Sequence, residues 1–316
     1  MTTVTERGRE VRVSPGPSPA ADYIPDDAWF AGERPTFGAA SLGLSIGRLR
    51  VVLEGLSADQ RSRLADRFRV FVAEAAGGAA PLRLRLTRAG REQFLALPRH
   101  GGEIYRMGRR ATESGRDWWS YEFAGRIRSR ARTAELALVE AEGPLFDRGL
   151  ENFLRALTAS FVLDEGGLLL HAATVVRGGR AYVFFGPSGA GKTTVTRLSA
   201  RDIVLSDDMT LVLPGAGGFE AVGIPFGMAH HHVPDTSDAF PIAGLHRLVQ
   251  SPAVERTPLR GAAALAELTT CLPYVCEDRE EASRSLDIAG RLLSDVPAWR
   301  LLFRKDDSFW NVIQER

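Results

Sequence analysis

Lysine is almost absent from this chain: Lys192 and Lys305 are the only two among its 40 basic residues. Cysteine is as scarce, with Cys271 and Cys276 alone. A disulfide framework is therefore excluded as the support of the fold, and a reducing compartment is expected. The two cysteines have no other metal-ligand residues at suitable spacing, so they read as small buried apolar residues. No apolar run reaches the length of a membrane span, and the first residues lack the apolar core of a signal peptide. The expectation is a cytoplasmic protein with no membrane partner. An excess of one charge is missing too. A net charge of +1 speaks against wholesale nucleic-acid binding. At 316 residues there is room for two domains.

Residues 1–25 are rich in Pro, Gly, Ser and charge, and predict a flexible tail. Residues 26–143 predict an N-terminal α+β domain that recognises a substrate or partner. Within it 44–52 alternates as a strand, Ser57-Ala58-Asp59-Gln60 is a capping box opening a helix, and 82–86 and 118–139 are strands. Arg126, Arg128, Arg130 and Arg132 form a ladder along that last segment. They can receive an acidic partner or form a solvated face, and the solvated face is the favoured reading. Trp118-Trp119 is read as core. A boundary falls near Gly143-Pro144, and 144–316 forms the second domain. It opens with an amphipathic helix over 146–163, followed by a strand over 168–176 and a hairpin turn at Arg177-Gly178-Gly179-Arg180.

The chemistry concentrates in that second domain. Gly186-Pro187-Ser188-Gly189-Ala190-Gly191-Lys192-Thr193, with Thr194 after it, fits G-x-x-x-x-G-K-[ST]. Backbone N–H groups and the lysine of such a loop cradle nucleotide phosphates, and its glycines bring the backbone close where a Cβ would clash. The context agrees: 181–185 reads as a buried strand and 193–200 as a helix, whose N-terminus favours an anion. Lysine, nearly absent elsewhere, occupies the one position where a compact ammonium is needed. The loop predicts nucleotide binding.

Three neighbours narrow the reaction. Ser206-Asp207-Asp208 ends the strand that follows the loop helix, and one carboxylate there can hold Mg²⁺ with the Thr193 hydroxyl while the other takes a proton from an attacking hydroxyl. His171, in Leu170-His171-Ala172, can orient the acid pair or contact phosphate, or can be a satisfied structural residue; spacing alone leaves both open. Glu220 can add a metal contact. His230-His231-His232 invites a transition metal, but consecutive side chains cannot all face one ion, so a solvated loop is the favoured reading.

In the order His171, hairpin, GPSGAGKT and Ser206-Asp207-Asp208, the chain resembles the catalytic core of HPr kinase/phosphorylase. The resemblance covers about 165–227. It implies an α/β fold with a P-loop core like that of HPr kinase and phosphoenolpyruvate carboxykinase. It implies Lys192 and Thr193 on ATP and Mg²⁺, Asp207 as base, and Asp208 and His171 in support. Glu220 in Glu220-Ala221-Val222-Gly223 would correspond to the glutamate of a Glu-x-Arg-Gly segment, although Val222 replaces its arginine and Arg256 or Arg260 would have to substitute for a basic loop. It also implies a homo-oligomer. Residues 26–143 have no counterpart there, so the resemblance is closer to divergent relatives that phosphorylate peptides of natural-product pathways.

The site set expected is then Asp207, Asp208, His171 and Lys192 for catalysis, residues 186–194 for nucleotide, and Thr193, Asp208 and Glu220 for metal. The expected function is an ATP-dependent kinase acting on a serine or threonine hydroxyl of a small protein or precursor peptide. A nucleotide-dependent switch and a kinase of a small metabolite stand as alternatives.

Overall fold

A computed structural model describes residues 2–6, 9–13, 25–73, 80–96, 106–113, 115–227, 233–274 and 279–314. It is a mixed α/β protein with two large sheets. The chain divides into two compact units: 1–43, 51–67 and 74–154 make the first, and 44–50, 68–73 and 155–316 the second. Two short strands, β1 (Thr2–Glu6) and β2 (Arg9–Val13), pair antiparallel at the start of the first unit. Cys276 and the three consecutive histidines lie outside the described residues.

The first unit continues with helix α1 (Asp27–Ala31), capped where Asp26 accepts from the Trp29 amide. Then come β3 (Ala40–Ile46) and β4 (Leu49–Leu56), of which residues 44–50 fall in the second unit, and α2 (Ala58–Arg67), β5 (Leu82–Arg88), β6 (Gly108–Thr112), β7 (Gly115–Trp119), β8 (Phe123–Arg128) and β9 (Thr133–Leu138). These strands form one sheet in the order β3-β4-β5-β9-β8-β7-β6. The expected single strand over 44–52 is two, because Gly47, at φ 59°, turns the chain back. The expected strand over 118–139 breaks at 120–122 and 129–132, where Arg132 at φ 50° closes the second turn. The capping box is present in full: the Gln60 amide donates to Ser57 Oγ at 3.1 Å and the Ser57 amide to Gln60 Oε1 at 2.9 Å. Trp118 and Trp119 are buried.

The arginine ladder is largely consumed inside this unit. Arg126 binds Asp117 through Nε at 2.6 Å and Nη2 at 2.9 Å, and also pairs with Asp27; Arg110 meets Asp117 at 2.5 Å. Hydrogen bonding to Asp117 pushes the Arg126 pKa above its ordinary value, against the opposing effect of burial. Arg128 pairs with Glu135, and Arg83 with Glu54.

The division between units falls within helix α3 (Pro144–Val162), after Leu154. The second unit continues with β10 (Leu168–Leu170), β11 (Ala172–Arg177), β12 (Arg180–Phe185), α4 (Lys192–Leu198), β13 (Ile203–Ser206), β14 (Thr210–Gly215), β15 (Gly218–Val222), β16 (Ala239–Gln250), β17 (Glu255–Pro258), α5 (Gly261–Thr269), α6 (Arg279–Asp295), β18 (Ala298–Phe303) and α7 (Phe309–Gln314). The expected strand over 168–176 is split at His171, whose halves pair with different neighbours: β10 with β14, and β11 with β12 and β13. Gly178 and Gly179, both at positive φ, form the β11–β12 turn as expected.

The sheet order is β10-β14-β15-β16-β12-β11-β13, with β18 pairing both β16 and β17. Strand β16 joins the halves: it is antiparallel to β15 and parallel to both β12 and β18. Successive residues of β11 and β12 point to opposite faces, and each face has its own core. Ala172, Val183 and Phe185 pack with Leu268, Ile288 and Leu292 of α5 and α6. On the other face Val175 and Phe184 pack with Val195 of α4 and with Phe309 and Trp310 of α7. Helices on both faces leave the carboxyl ends of β12, β16 and β18 open together, the place where parallel sheets bind ligands.

Candidate functional site

The glycine-rich loop leaves β12 at Phe185, opposite Arg247 in the β16 register, and enters α4 at Lys192. Gly191 sits at φ 111°, and a Cβ there would lie 2.4 Å from Phe303 at the end of β18. Glycine is required on both counts. Gln250, at the end of β16, donates from Nε2 to the Gly189 carbonyl at 2.7 Å. Arg247 stands against Gly186 and is itself held by Glu267 through Nε at 2.7 Å. The loop is thus braced by β16, the parallel partner of β12, and by the end of β18, which pairs parallel with β16 in turn.

Lys192 is buried and folds back over the loop, donating from Nζ to the carbonyls of Gly186 at 2.9 Å and Pro187 at 3.4 Å. Burial pulls its pKa below the ordinary lysine value, with Cys271 and Asp208 opposing that shift. An ammonium in this position is partly stripped of water, which strengthens its attraction for any anion reaching the loop.

The aspartate pair is set by a local turn and a bulge. Val175 faces Val204 and Thr174 faces Ser206, so Leu205 is an extra residue in β13. Ser206 Oγ then accepts from the Asp208 amide at 3.3 Å and the Met209 amide at 2.9 Å. The two aspartates have different surroundings. Asp208 Oδ1 is 3.2 Å from His171 Nε2, and its Oδ2 is 2.9 Å from Arg155 Nη1. Asp207, buried, instead lines a cavity of about 640 Å³ beside α4, together with Thr193, Thr196 and Arg197 of the helix and Ile203 and Val204 of β13. His171 is fixed by its backbone amide, which donates to the Cys271 carbonyl at 2.7 Å.

The structure therefore brings together Lys192, Asp208, His171, Asp207 and Thr193, and it does not bring Glu220 with them. Glu220 faces Leu213 and Pro241 in the sheet, and its side chain lies over Gly215 at the β14–β15 turn. The bulk of the side chain is spent covering that turn. Among the described residues no group of three His, Cys, Asp or Glu side chains is positioned to hold a metal ion alone. Arg256 is engaged elsewhere, donating to the Ile313 carbonyl at 3.0 Å and stacking on Trp299. Arg155 and Arg247 were not singled out from the sequence. For Arg155 a signal exists: Glu151, Asn152, Arg155 and Thr158 are all buried, a polar stripe at helical spacing inside an apolar helix.

A family model described as SynChlorMet cassette protein ScmC matches residues 156–315, which is 160 of the 316 residues. The chain belongs to this family. The ScmC match begins directly after Arg155 and contains the glycine-rich loop, His171, both aspartates and all of β16. No curated protein matches the chain.

Proposed function

We propose that the second unit is an ATP-dependent phosphotransferase, acting on a hydroxyl of a peptide or small protein. The observation that carries this reading is the shared cavity: Asp207 and Thr193 line one space at the mouth of the loop that holds Lys192. A kinase site needs an anion cradle beside a carboxylate that faces the acceptor, and those two features adjoin here.

In this reading the loop amides and Lys192 hold the β- and γ-phosphates. The acceptor oxygen attacks the γ-phosphorus, the bond from that phosphorus to the β–γ bridging oxygen breaks, ADP leaves, and the hydroxyl proton passes to Asp207. Lys192 counters the negative charge that develops on the leaving oxygens. Arg155 and His171 hold Asp208 in place.

The donor set fits Mg²⁺. The Thr193 hydroxyl and the Asp208 carboxylate are hard oxygen ligands, and Mg²⁺ takes one or two of these along with water and substrate phosphate rather than a full protein cage. A ligating carboxylate is ordinarily held by partners of its own, as Asp208 is by Arg155 and His171. Bound there, the ion would neutralise phosphate charge. Glu220 drops out of the expected metal set because of its place at the hairpin turn.

The likeness to HPr kinase in the order of these motifs supports a P-loop core of that kind, and the scarcity of cysteine supports a reducing, cytoplasmic setting. The test is γ-labelled ATP with the purified protein, Mg²⁺ and fractionated small proteins and peptides, with Asp207→Asn as control. Label on a peptide or protein with the wild type alone establishes the kinase. Release of free phosphate with no labelled product would replace it with a nucleotide-dependent switch.

A further inference from the structure

The cavity beside Asp207 has a direction. Thr193, Thr196, Arg197 and Ala200 form one face of α4 and its end, and they line one wall. The opposite wall is β13, which runs back toward the glycine-rich loop and ends at Ser206, next to Asp207. Asp207 and Thr193 thus mark one end of a cleft, and Ala200 and Asp202 the other.

Strand β13 is also the last strand of its sheet: it pairs with β11, and among the described residues no strand pairs with its outer edge. Such an edge presents backbone donors and acceptors to an added chain. Ile203, at the far end, is 46% exposed, a large apolar side chain left in solvent on that strand. The charges in the cleft are uneven. Asp202 is bound by Arg177 at 2.7 Å and Asp235 pairs with Arg69. Arg197 is exposed in the same cavity and, among the described residues, makes no ion pair.

We propose that this cleft receives the acceptor as an extended peptide segment added to the outer edge of β13, with Arg197 selecting an acidic side chain near the acceptor hydroxyl. The inference rests on the phosphotransferase reading above and deepens it. Strand addition supplies affinity through backbone hydrogen bonds, and pockets along the edge supply specificity. Arg197 lies one helical turn beyond Thr193, about 6 Å along α4. An extended chain covers that distance in about two residues. The acceptor therefore carries Asp or Glu about two positions from its serine or threonine, and an apolar residue further on to cover Ile203.

The experiment uses the full chain, γ-labelled ATP, Mg²⁺ and short peptides with a central serine, each flanking position varied in turn. The wild type should label peptides with an acid about two residues away roughly tenfold better than those with a base there, the difference expected of one charge-assisted contact. Arg197→Glu should invert that preference. Backbone N-methylation of the best peptide gives a reading that needs no protein variant: transfer should fall at every second position, because an added strand bonds through alternate residues. Labelled peptides with no charge preference and no alternation would overturn the edge as the docking site while leaving the kinase intact. No labelled peptide despite ATP binding would overturn the cleft as a peptide site in favour of a small-molecule acceptor. Failure of the wild type to bind ATP would overturn the underlying reading, and this proposal with it.

Discussion

Arg155 Nη1 lies 2.9 Å from Asp208 Oδ2, joining the amphipathic helix α3 to the aspartate pair after β13. The arginine side chain is 6% exposed, so folding has taken this charge out of water and set it against a carboxylate. Removing one partner of a buried pair leaves the other uncompensated, at a cost of about 3 kcal/mol. Arg155→Met should lower unfolding stability by that order in denaturant titration, and should also depress any transfer activity by releasing Asp208. Arg155→Lys should recover part of the stability but less of the activity, since an ammonium lacks the guanidinium's planar geometry. Unchanged stability in Arg155→Met would show that the pair does not hold Asp208.

In the proposed mechanism Lys192 serves binding and Asp207 serves chemistry, and two variants separate them. Lys192→Ala should lose nucleotide affinity and turnover together, because the ammonium is the loop's only charged group for phosphate. Asp207→Asn should keep ATP binding, measured by calorimetry, and lose transfer by about a hundredfold or more, the scale of a general base. Full transfer in Asp207→Asn would remove Asp207 from the chemistry.

What the sequence made legible was local. The glycine-rich loop, the capping box at Ser57 and Gln60, the Gly178-Gly179 turn and the adjacency of Asp207 and Asp208 all depend on residues within a few positions of one another. What stayed hidden was non-local. Strand β16 contains Pro241, Gly244, His246 and Arg247; its burial alternates over most of 242–249, but Gly244 and His246 take two of the buried positions, so the residue types carry no period-two signature. Its place is set by parallel pairing with β12 and β18, strands far away in the chain. The split of 168–176 at His171 has the same origin: the halves join different neighbours, and only the assembled sheet decides where the break falls. Glu220 misled because its type suited a metal site, whereas its register put it at a hairpin turn.

Gly191 tests whether the loop conformation itself is required. Its φ of 111° is strained for any residue with a Cβ, and Phe303 fills the space that Cβ would take. Gly191→Ala should cost about 2 kcal/mol or more and abolish nucleotide binding. Adding Phe303→Ala relieves the contact but not the backbone strain, so binding should not return to the wild-type level. Normal nucleotide affinity in Gly191→Ala would show that the loop need not hold this shape.

His246 gives the second unit an acid sensitivity of its own. The ring is wholly buried in β16 between Tyr182 and Phe184. Burial, helped by the charge of Arg256, lowers its pKa from the usual 6.5 to about 3. The unfolded chain therefore binds a proton between about pH 6.5 and pH 3 that the folded chain refuses. Its contribution to stability is complete above the unfolded value and is lost as pH falls through that window, by at most about 1.4 kcal/mol per pH unit. His246→Leu keeps an apolar side chain in the same space and removes the titrating group. Denaturant unfolding of wild type and variant across pH 7 to 4 should show the wild type losing stability relative to the variant as pH falls, since the carboxylates contribute equally to both. Parallel curves would mean that the imidazole accepts its proton without leaving the fold.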